Sequence, residues 1–203
     1  MQTAVRKATP ADVPTLARTL AAAFFDDPVF SWLIPPRARS REKRFLAMFN
    51  GLAASYAAKG HSYLAGDDAA AAMWAPPGKW ETPIGDILGS LVPFVGALRL
   101  RAIHSLITLG AVEGAHPKEP PHWYLGYLGT VPARQGQGLG GELLREVLTG
   151  VDEAGLPAYL ESSNPRNLTL YQRHGFEVVE ELHPPLGCPP IYRMWRDAGK
   201  GGG

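Results

Sequence analysis

The chain has 203 residues, 45% hydrophobic and 19% charged, with a formal net charge of +1. That size and balance read as one soluble globular domain over residues 1–196 with a flexible tail at 197–203, and they give no basis for nucleic-acid or anionic-membrane binding. The single cysteine, Cys188, excludes an internal disulfide and fits a reducing cytoplasm. Arg6 and Lys7 are followed by polar residues, so the opening reads as no signal peptide. The apolar region Ile84–Val112 is interrupted by Asp86, Pro93, Arg99, Arg101 and His104, and is no membrane span.

Thr3–Lys7 reads as a short strand. Pro10-Ala11-Asp12 then opens a helix with Val13, Leu16, Ala17, Leu20 and Phe24 at helical spacing, stopping near Asp26-Asp27-Pro28. Arg41–Ala58 repeats the pattern through Phe45, Met48, Phe49, Leu52 and Tyr56. His61–Ala65 and Ala69–Trp74 form a hairpin pattern about Gly66-Asp67-Asp68. Ile84–Val112 is predicted helical with breaks at Pro93 and Gly96, and Glu113–Pro121 is a polar loop. The strand Trp123–Val131 leads into a glycine-rich turn and a helix reaching Ala154. Ala158–Glu161 is a strand, Pro165–His174 a short helix, and Phe176–Leu182 another strand. Ile191–Trp195 closes the sheet, and Pro189-Pro190 suggests an edge position for it.

The turn after Val131 is the most informative stretch. Gln135-Gly136-Gln137-Gly138-Leu139-Gly140-Gly141 packs four glycines into seven residues. Such a backbone can approach a ligand closely, and the following helix points free N–H groups at it, which makes a pyrophosphate site. Gly136, Gly138 and Gly141 also fit a dinucleotide fingerprint with Glu161 as its ribose acid. Pro132-Ala133-Arg134-Gln135 intervene before the first glycine, however, and about sixty residues follow, too few for a doubly wound sheet.

Gln135-x-x-Gly138-x-Gly140 resembles the acetyl-CoA loop of the GNAT superfamily of N-acetyltransferases. Asn164-x-x-Asn167-x-x-Leu170-Tyr171-x-x-x-Gly175-Phe176 resembles that family's second motif. His116-Pro117-Lys118-Glu119-Pro120, Leu160-Glu161-Ser162-Ser163 and Pro165-Arg166-Asn167-Leu168 look most like its puromycin N-acetyltransferase branch. The resemblance implies an α/β fold, with a central mixed sheet splayed at the fourth strand and flanked by helices. It implies acetyl transfer from acetyl-CoA to a primary amine through a tetrahedral intermediate, with a small-molecule amine as substrate and no metal.

By that resemblance, Gly136, Gly138, Gly140 and Gly141 hold the pyrophosphate with Gln135 and Gln137. The backbone of Leu128, Gly129 and Val131 pairs with the pantetheine arm, and Gly129 eases a bulge there. Asn164 and Asn167 face the pantetheine amides or cap the short helix; Arg134 reaches a phosphate or is solvated. Tyr171 returns a proton to the leaving thiolate. The fourth strand has no Asp or Glu between Glu119 and Glu142, so Glu161, His122 or a water relay serves as base. The acceptor pocket draws on Phe25, Phe30, Trp32, Trp74, Trp80, Trp123, Tyr124 and Tyr127, with Asp26 and Asp27 as caps or attractors of an ammonium. A non-catalytic acyl-CoA sensor and a peptide acetyltransferase are the alternatives, and a homo-oligomer is compatible with each.

Overall fold

The computed structural model describes residues 4–80 and 102–200. Most of the predicted helical segment Ile84–Val112 lies outside the described residues. In chain order the elements are β1 (Val5–Lys7), α1 (Val13–Ala23), α2 (Pro28–Leu33), α3 (Arg41–Lys59), β2 (Ser62–Ala65) and β3 (Ala70–Ala75). They continue with α4 (Ala102–Ala115), β4 (Trp123–Thr130), α5 (Leu139–Glu153), β5 (Ala158–Ser162), α6 (Leu168–Gln172), β6 (Glu177–Leu182) and β7 (Ile191–Arg196). Among the described residues, seven strands form one sheet in the order β1-β2-β3-β4-β5-β7-β6. Only the β4–β5 pair is parallel.

Strand β3 shows why the sheet carries helices on both faces. Its run Ala-Ala-Ala-Met-Trp-Ala is buried throughout, and alternation divides it between two cores. Ala71, Met73 and Ala75 join Leu16 and Leu20 of α1 and Phe45 and Phe49 of α3. Ala70, Ala72 and Trp74 join Leu143, Leu144 and Val147 of α5. Each large side chain buried this way stabilises the fold by about 1.5–3 kcal/mol. The first helix begins where expected: Asp12 Oδ2 accepts from the Thr9 N–H and hydroxyl, each at 2.8 Å.

The first helix stops before Asp26-Asp27-Pro28 as expected, and Asp27 Oδ1 accepts from the N–H groups of Val29 (3.0 Å) and Phe30 (3.2 Å) to start α2, an unpredicted element with Pro28 at its first position. Three expectations of secondary structure are corrected. The segment before β4 stays helical through Ala115 rather than becoming loop at Glu113. The predicted helix over Pro165–His174 is a 3₁₀ turn, Pro165–Asn167, followed by the shorter α6. Strand β7 is not an edge. It lies between β5 and β6, because both prolines precede its first residue and remove no N–H from the ladder.

The sheet opens at β4. Parallel pairing with β5 covers only Trp123–Leu125 against Ala158–Leu160, whereas β4 runs on to Thr130 against β3. At the point of divergence Met73 faces Tyr127 and Trp74 faces Leu125, leaving Gly126 as the extra residue. The bulge is thus at Gly126 and not at Gly129, which pairs with Ala71. A Cβ at Gly126 would lie 2.0 Å from the Tyr56 hydroxyl oxygen, so only glycine lets that phenol reach the strand. Gly129 serves a different need: a Cβ there would lie 2.6 Å from Ala23 Cβ, so its absence admits α1.

Candidate functional site

The opening between β4 and β5 contains a groove of about 670 Å³. One wall is the β4 backbone at Leu128, Gly129 and Thr130, and the floor is the turn from Gln135 to Gly141. Gly136 (φ 76°) and Gly138 (φ 84°) hold left-handed conformations, which shape that turn and which other residues adopt at a cost. Helix α5 starts directly after Gly138. Its first-turn N–H groups have no partners within the helix and face the turn with the positive end of the helix dipole. Asn164, Asn167 and Tyr171 form the opposite wall, and Arg134, Arg166 and Arg173 add positive charge.

Nine of the eleven residues predicted to hold the cofactor line this groove: Leu128, Gly129, Gln135, Gly136, Gly138, Gly140, Gly141, Asn164 and Asn167. Val131 and Gln137 stand off it. The Val131 N–H is bonded to Ala69 O at 2.9 Å and its side chain packs on the α5-side core. Gln137 Oε1 accepts from Arg134 Nε at 2.7 Å, which holds that arginine along the loop. Gln135 lines the groove while bracing it, since its Nε2 donates to Thr130 O at 3.1 Å. Asn164 also caps the 3₁₀ turn through the Arg166 N–H, 3.1 Å away.

A second, smaller cavity of about 150 Å³ adjoins the groove. The two share Phe24, Leu128, Asn167 and Tyr171. Helix α2 lines the small cavity with Val29, Phe30 and Leu33, and α4 does so with Thr108 and Val112. Strands β4 and β5 contribute Tyr124, Tyr127 and Glu161. Tyr171 therefore stands where groove and cavity meet. Burial, and secondarily the charge of Asp27, push its phenol well above the ordinary value, so it stays protonated at neutral pH.

Of the predicted aromatics, Phe30, Tyr124 and Tyr127 line the small cavity. Phe25 lies under the Arg41 guanidinium at 4.0 Å, Trp74 is buried in the α5-side core, and Trp123 meets His61 edge-on. Trp32 packs on the α1–α3 core, and Trp80 stacks on His116 with ring centroids 3.9 Å apart. Asp27 is buried as a cap and accepts from Ser163 Oγ at 2.6 Å, while the exposed Asp26 carboxylate lies 3.8 Å from Arg41.

Glu161 lines the small cavity but not the groove, and is nearly buried. Its Oε2 accepts from the Tyr124 hydroxyl at 2.6 Å, and its Oε1 lies 3.4 Å from His116 Nδ1. Burial first, and then the Glu161 charge, hold the Tyr124 phenol far above its usual range, so it acts as a donor. His116 Nε2 is 3.1 Å from His122 Nε2, and His122 Nδ1 is 2.8 Å from Pro120 O. His122, a predicted alternative base, does not line the cavity and reaches Glu161 only through His116. The sequence reading missed His116 and Thr108. Neither has a spacing signal, because Thr108 looks like one more polar turn of an apolar helix and the two histidines meet through an irregular proline-rich loop. Among the described residues, no group of three His, Cys, Asp or Glu is placed to hold a metal ion, and no helix is long and apolar enough to cross a membrane.

Residues 89–176 match the acetyltransferase (GNAT) family. An uncharacterized N-acetyltransferase of Schizosaccharomyces pombe is 28% identical over 181 residues, which span 85% of this chain and 73% of the yeast protein. A solved structure described as histone acetyltransferase HPA2 and related acetyltransferase, from Corynebacterium glutamicum, is 28% identical with a TM-score of 0.71, covering 98% of this chain and 97% of that one. The PaiA N-acetyltransferase of Thermoplasma acidophilum, solved with coenzyme A, shares the fold at 12% identity and a TM-score of 0.57, over 97% of this chain and 99% of its own.

Proposed function

We propose that this chain is an acetyl-CoA-dependent N-acetyltransferase of the GNAT family that acetylates the primary amine of a small molecule, with Glu161 as base and Tyr171 as acid. The observation that carries this reading is the junction of groove and cavity at Tyr171, with Glu161 lining the cavity but not the groove. A thioester laid in the groove would present its acyl end at that junction, and an amine in the cavity would approach from the side of Glu161.

The residues present fit acetyl-CoA. The left-handed glycines and the start of α5 supply unpartnered N–H groups for a pyrophosphate. Among the described residues, no strand pairs with the edge of β4 beyond Leu125 that faces away from β3, which leaves it to pair with an extended arm. Asn164 and Asn167 offer side-chain amides opposite. When bound, acetyl-CoA supplies an activated acyl carbon and a thiolate leaving group.

The chain's own groups complete the proton balance. Glu161 takes a proton from the ammonium, freeing the lone pair that forms the new C–N bond. Tyr171 gives its proton to the sulfur as the C–S bond breaks, and the second proton lost by the new amide nitrogen restores the phenol. The sum is an amide, a thiol and one proton released to solvent. Tyr124 holds Glu161 in place through the 2.6 Å bond.

The acceptor we infer is compact at its amine end, because the cavity holds about 150 Å³ and is walled by Phe24, Phe30, Tyr124 and Tyr127. The likeness to puromycin N-acetyltransferases makes puromycin the aminonucleoside to try first. We infer a reducing cytoplasm from the single cysteine; Cys188 is buried, and desolvation raises its thiol to about 11, so it is inert. Thiol release from acetyl-CoA, measured with puromycin, arylalkylamines, polyamines, amino acids and basic peptides, tests the proposal. Turnover on a small amine is the expected result; turnover on peptides alone, or on none of these amines, would overturn it.

A further inference from the structure

The buried contacts around Glu161 need more protons than the side chains carry in their ordinary neutral-pH forms. Pro120 O can only accept, so His122 Nδ1, 2.8 Å away, must carry a hydrogen. A neutral His122 then has a bare Nε2, and the 3.1 Å contact requires the hydrogen to come from His116 Nε2. A neutral His116 would in turn have a bare Nδ1, set 3.4 Å from Glu161 Oε1. Two lone pairs would face each other inside the protein. Tyr124 cannot relieve this, since its hydroxyl is spent on Oε2.

The geometry points to one proton held in common by Glu161, His116 and His122, beyond a carboxylate and two neutral imidazoles, and to its loss as the step that arms Glu161. This rests on the reading of Glu161 as base. Burial favours the arrangement, because it gives the cluster no net charge. Desolvation pushes the His122 ring below its ordinary value, which keeps the extra proton on the Glu161–His116 side.

Among the described residues, the surroundings supply no competing ion. Tyr124 and Tyr127 on β4, Tyr159 on β5 and Tyr56 on α3 all face the cluster, and burial keeps each phenol protonated. Arg193 on β7 pairs in register with Glu161, but its guanidinium is taken by the Tyr159 hydroxyl and Glu180. Lys59 Nζ lies on Trp80 O, and Trp80 covers His116 with an uncharged face. Trp195 borders His122, and Glu119 adds only a distant charge to it. His116 is thus a positioning residue: it shares the proton and touches no substrate.

The consequence is an acidic limb of kcat/KM that belongs to the cluster as a unit. Activity rises as the shared proton leaves. His116→Gln keeps a donor for Oε1 without a titrating ring, so the limb should move down by at least about one pH unit. A limb that stays in place, whatever the loss in rate, would overturn the inference.

A second measurement needs no turnover. Side-chain ¹⁵N and carboxyl ¹³C NMR of the wild-type protein at a pH below the acidic limb should show either one imidazolium among these two rings, or a protonated Glu161 carboxyl beside neutral His116 protonated on Nε2 and neutral His122 protonated on Nδ1; an ionised Glu161 with two neutral rings overturns the inference. Any other pair of neutral tautomers overturns the shared proton. Failure to acetylate any amine with the expected NMR pattern would sink the catalytic reading while leaving the proton count intact.

Discussion

Ser163 donates a 2.6 Å hydrogen bond to Asp27 Oδ2, tying the residue just past β5 to the cap of α2, 136 positions away in sequence. The other Asp27 oxygen starts α2, so one buried carboxylate holds both the helix that lines the small cavity and the loop beneath it. Burial raises the Asp27 carboxyl, and the Ser163, Phe30 and Val29 donors offset part of the rise. The folded state therefore binds more protons than the unfolded one between the ordinary carboxylate value and the raised one, and this residue's contribution to stability falls as pH rises through that window. Ser163→Ala should remove about 1–2 kcal/mol in urea unfolding and steepen that fall. Asp27→Ala should cost more, because the cap goes too, and Asp27→Asn should recover part of the difference.

Gly138→Val tests the pyrophosphate turn. The residue caps α5 at φ 84°, a conformation costing other residues about 1–2 kcal/mol. We expect calorimetric CoA affinity to drop by at least about a hundredfold as the turn re-forms, with far-UV circular dichroism unchanged. Unchanged affinity would move the cofactor elsewhere.

Tyr171→Phe keeps the aromatic packing against Phe176 and deletes only the proton. Turnover should fall by about 10²–10⁴-fold, with the KM for acetyl-CoA within a few-fold of wild type. Equal turnover would remove Tyr171 from the chemistry.

Thr108→Val addresses a buried hydroxyl in the cavity wall that has no hydrogen-bond partner among the described residues. Without a ligand, the isosteric change should raise stability by about 1 kcal/mol, since it removes an unsatisfied polar group. With the natural acceptor, KM should rise about tenfold if the hydroxyl binds it. A rise in melting temperature with no change in KM would make Thr108 a tolerated defect.

Arg196 and Asp152 form a two-point pair at 2.6 and 2.7 Å, joining β7 to the end of α5, and Arg196 Nε also reaches His174 O. The Arg196 hydrogen bonds hold the Asp152 carboxyl below its ordinary value. Its contribution is thus complete above the ordinary carboxylate value and is lost as pH falls through the lowered one. Arg196→Met should destabilise the fold by about 3–5 kcal/mol and flatten this acid dependence in denaturation curves.

Most of the strands and the candidate groove were legible in the sequence because their signals are local. The glycine turn needs left-handed backbone at Gly136 and Gly138, and alternating apolar residues needed a sheet. The errors were of a different kind. Gly129 was read as a bulge by its composition, whereas Gly126 bulges because Tyr56, seventy positions earlier, needs the space. The prolines before β7 suggested an edge, yet strand order depends on which neighbours remain, not on the strand's own start. Glu161 could be found by motif, but its contact with His116 could not, because ring-to-carboxylate geometry is set by a loop packing on three strands.

The three parallel rungs between β4 and β5 leave the sheet as two leaves with a short seam. An extended molecule hydrogen-bonded to the bare edge of β4 would lengthen that seam, so the ligand would become part of the scaffold. Hydrogen exchange at Tyr127–Thr130 and along β5 should then slow together on CoA addition, beyond protection of the glycine turn alone. The whole protein should gain about 2.7 kcal/mol at a ligand concentration a hundredfold above Kd. In a cell, depletion of this pool would loosen the enzyme as well as starve it.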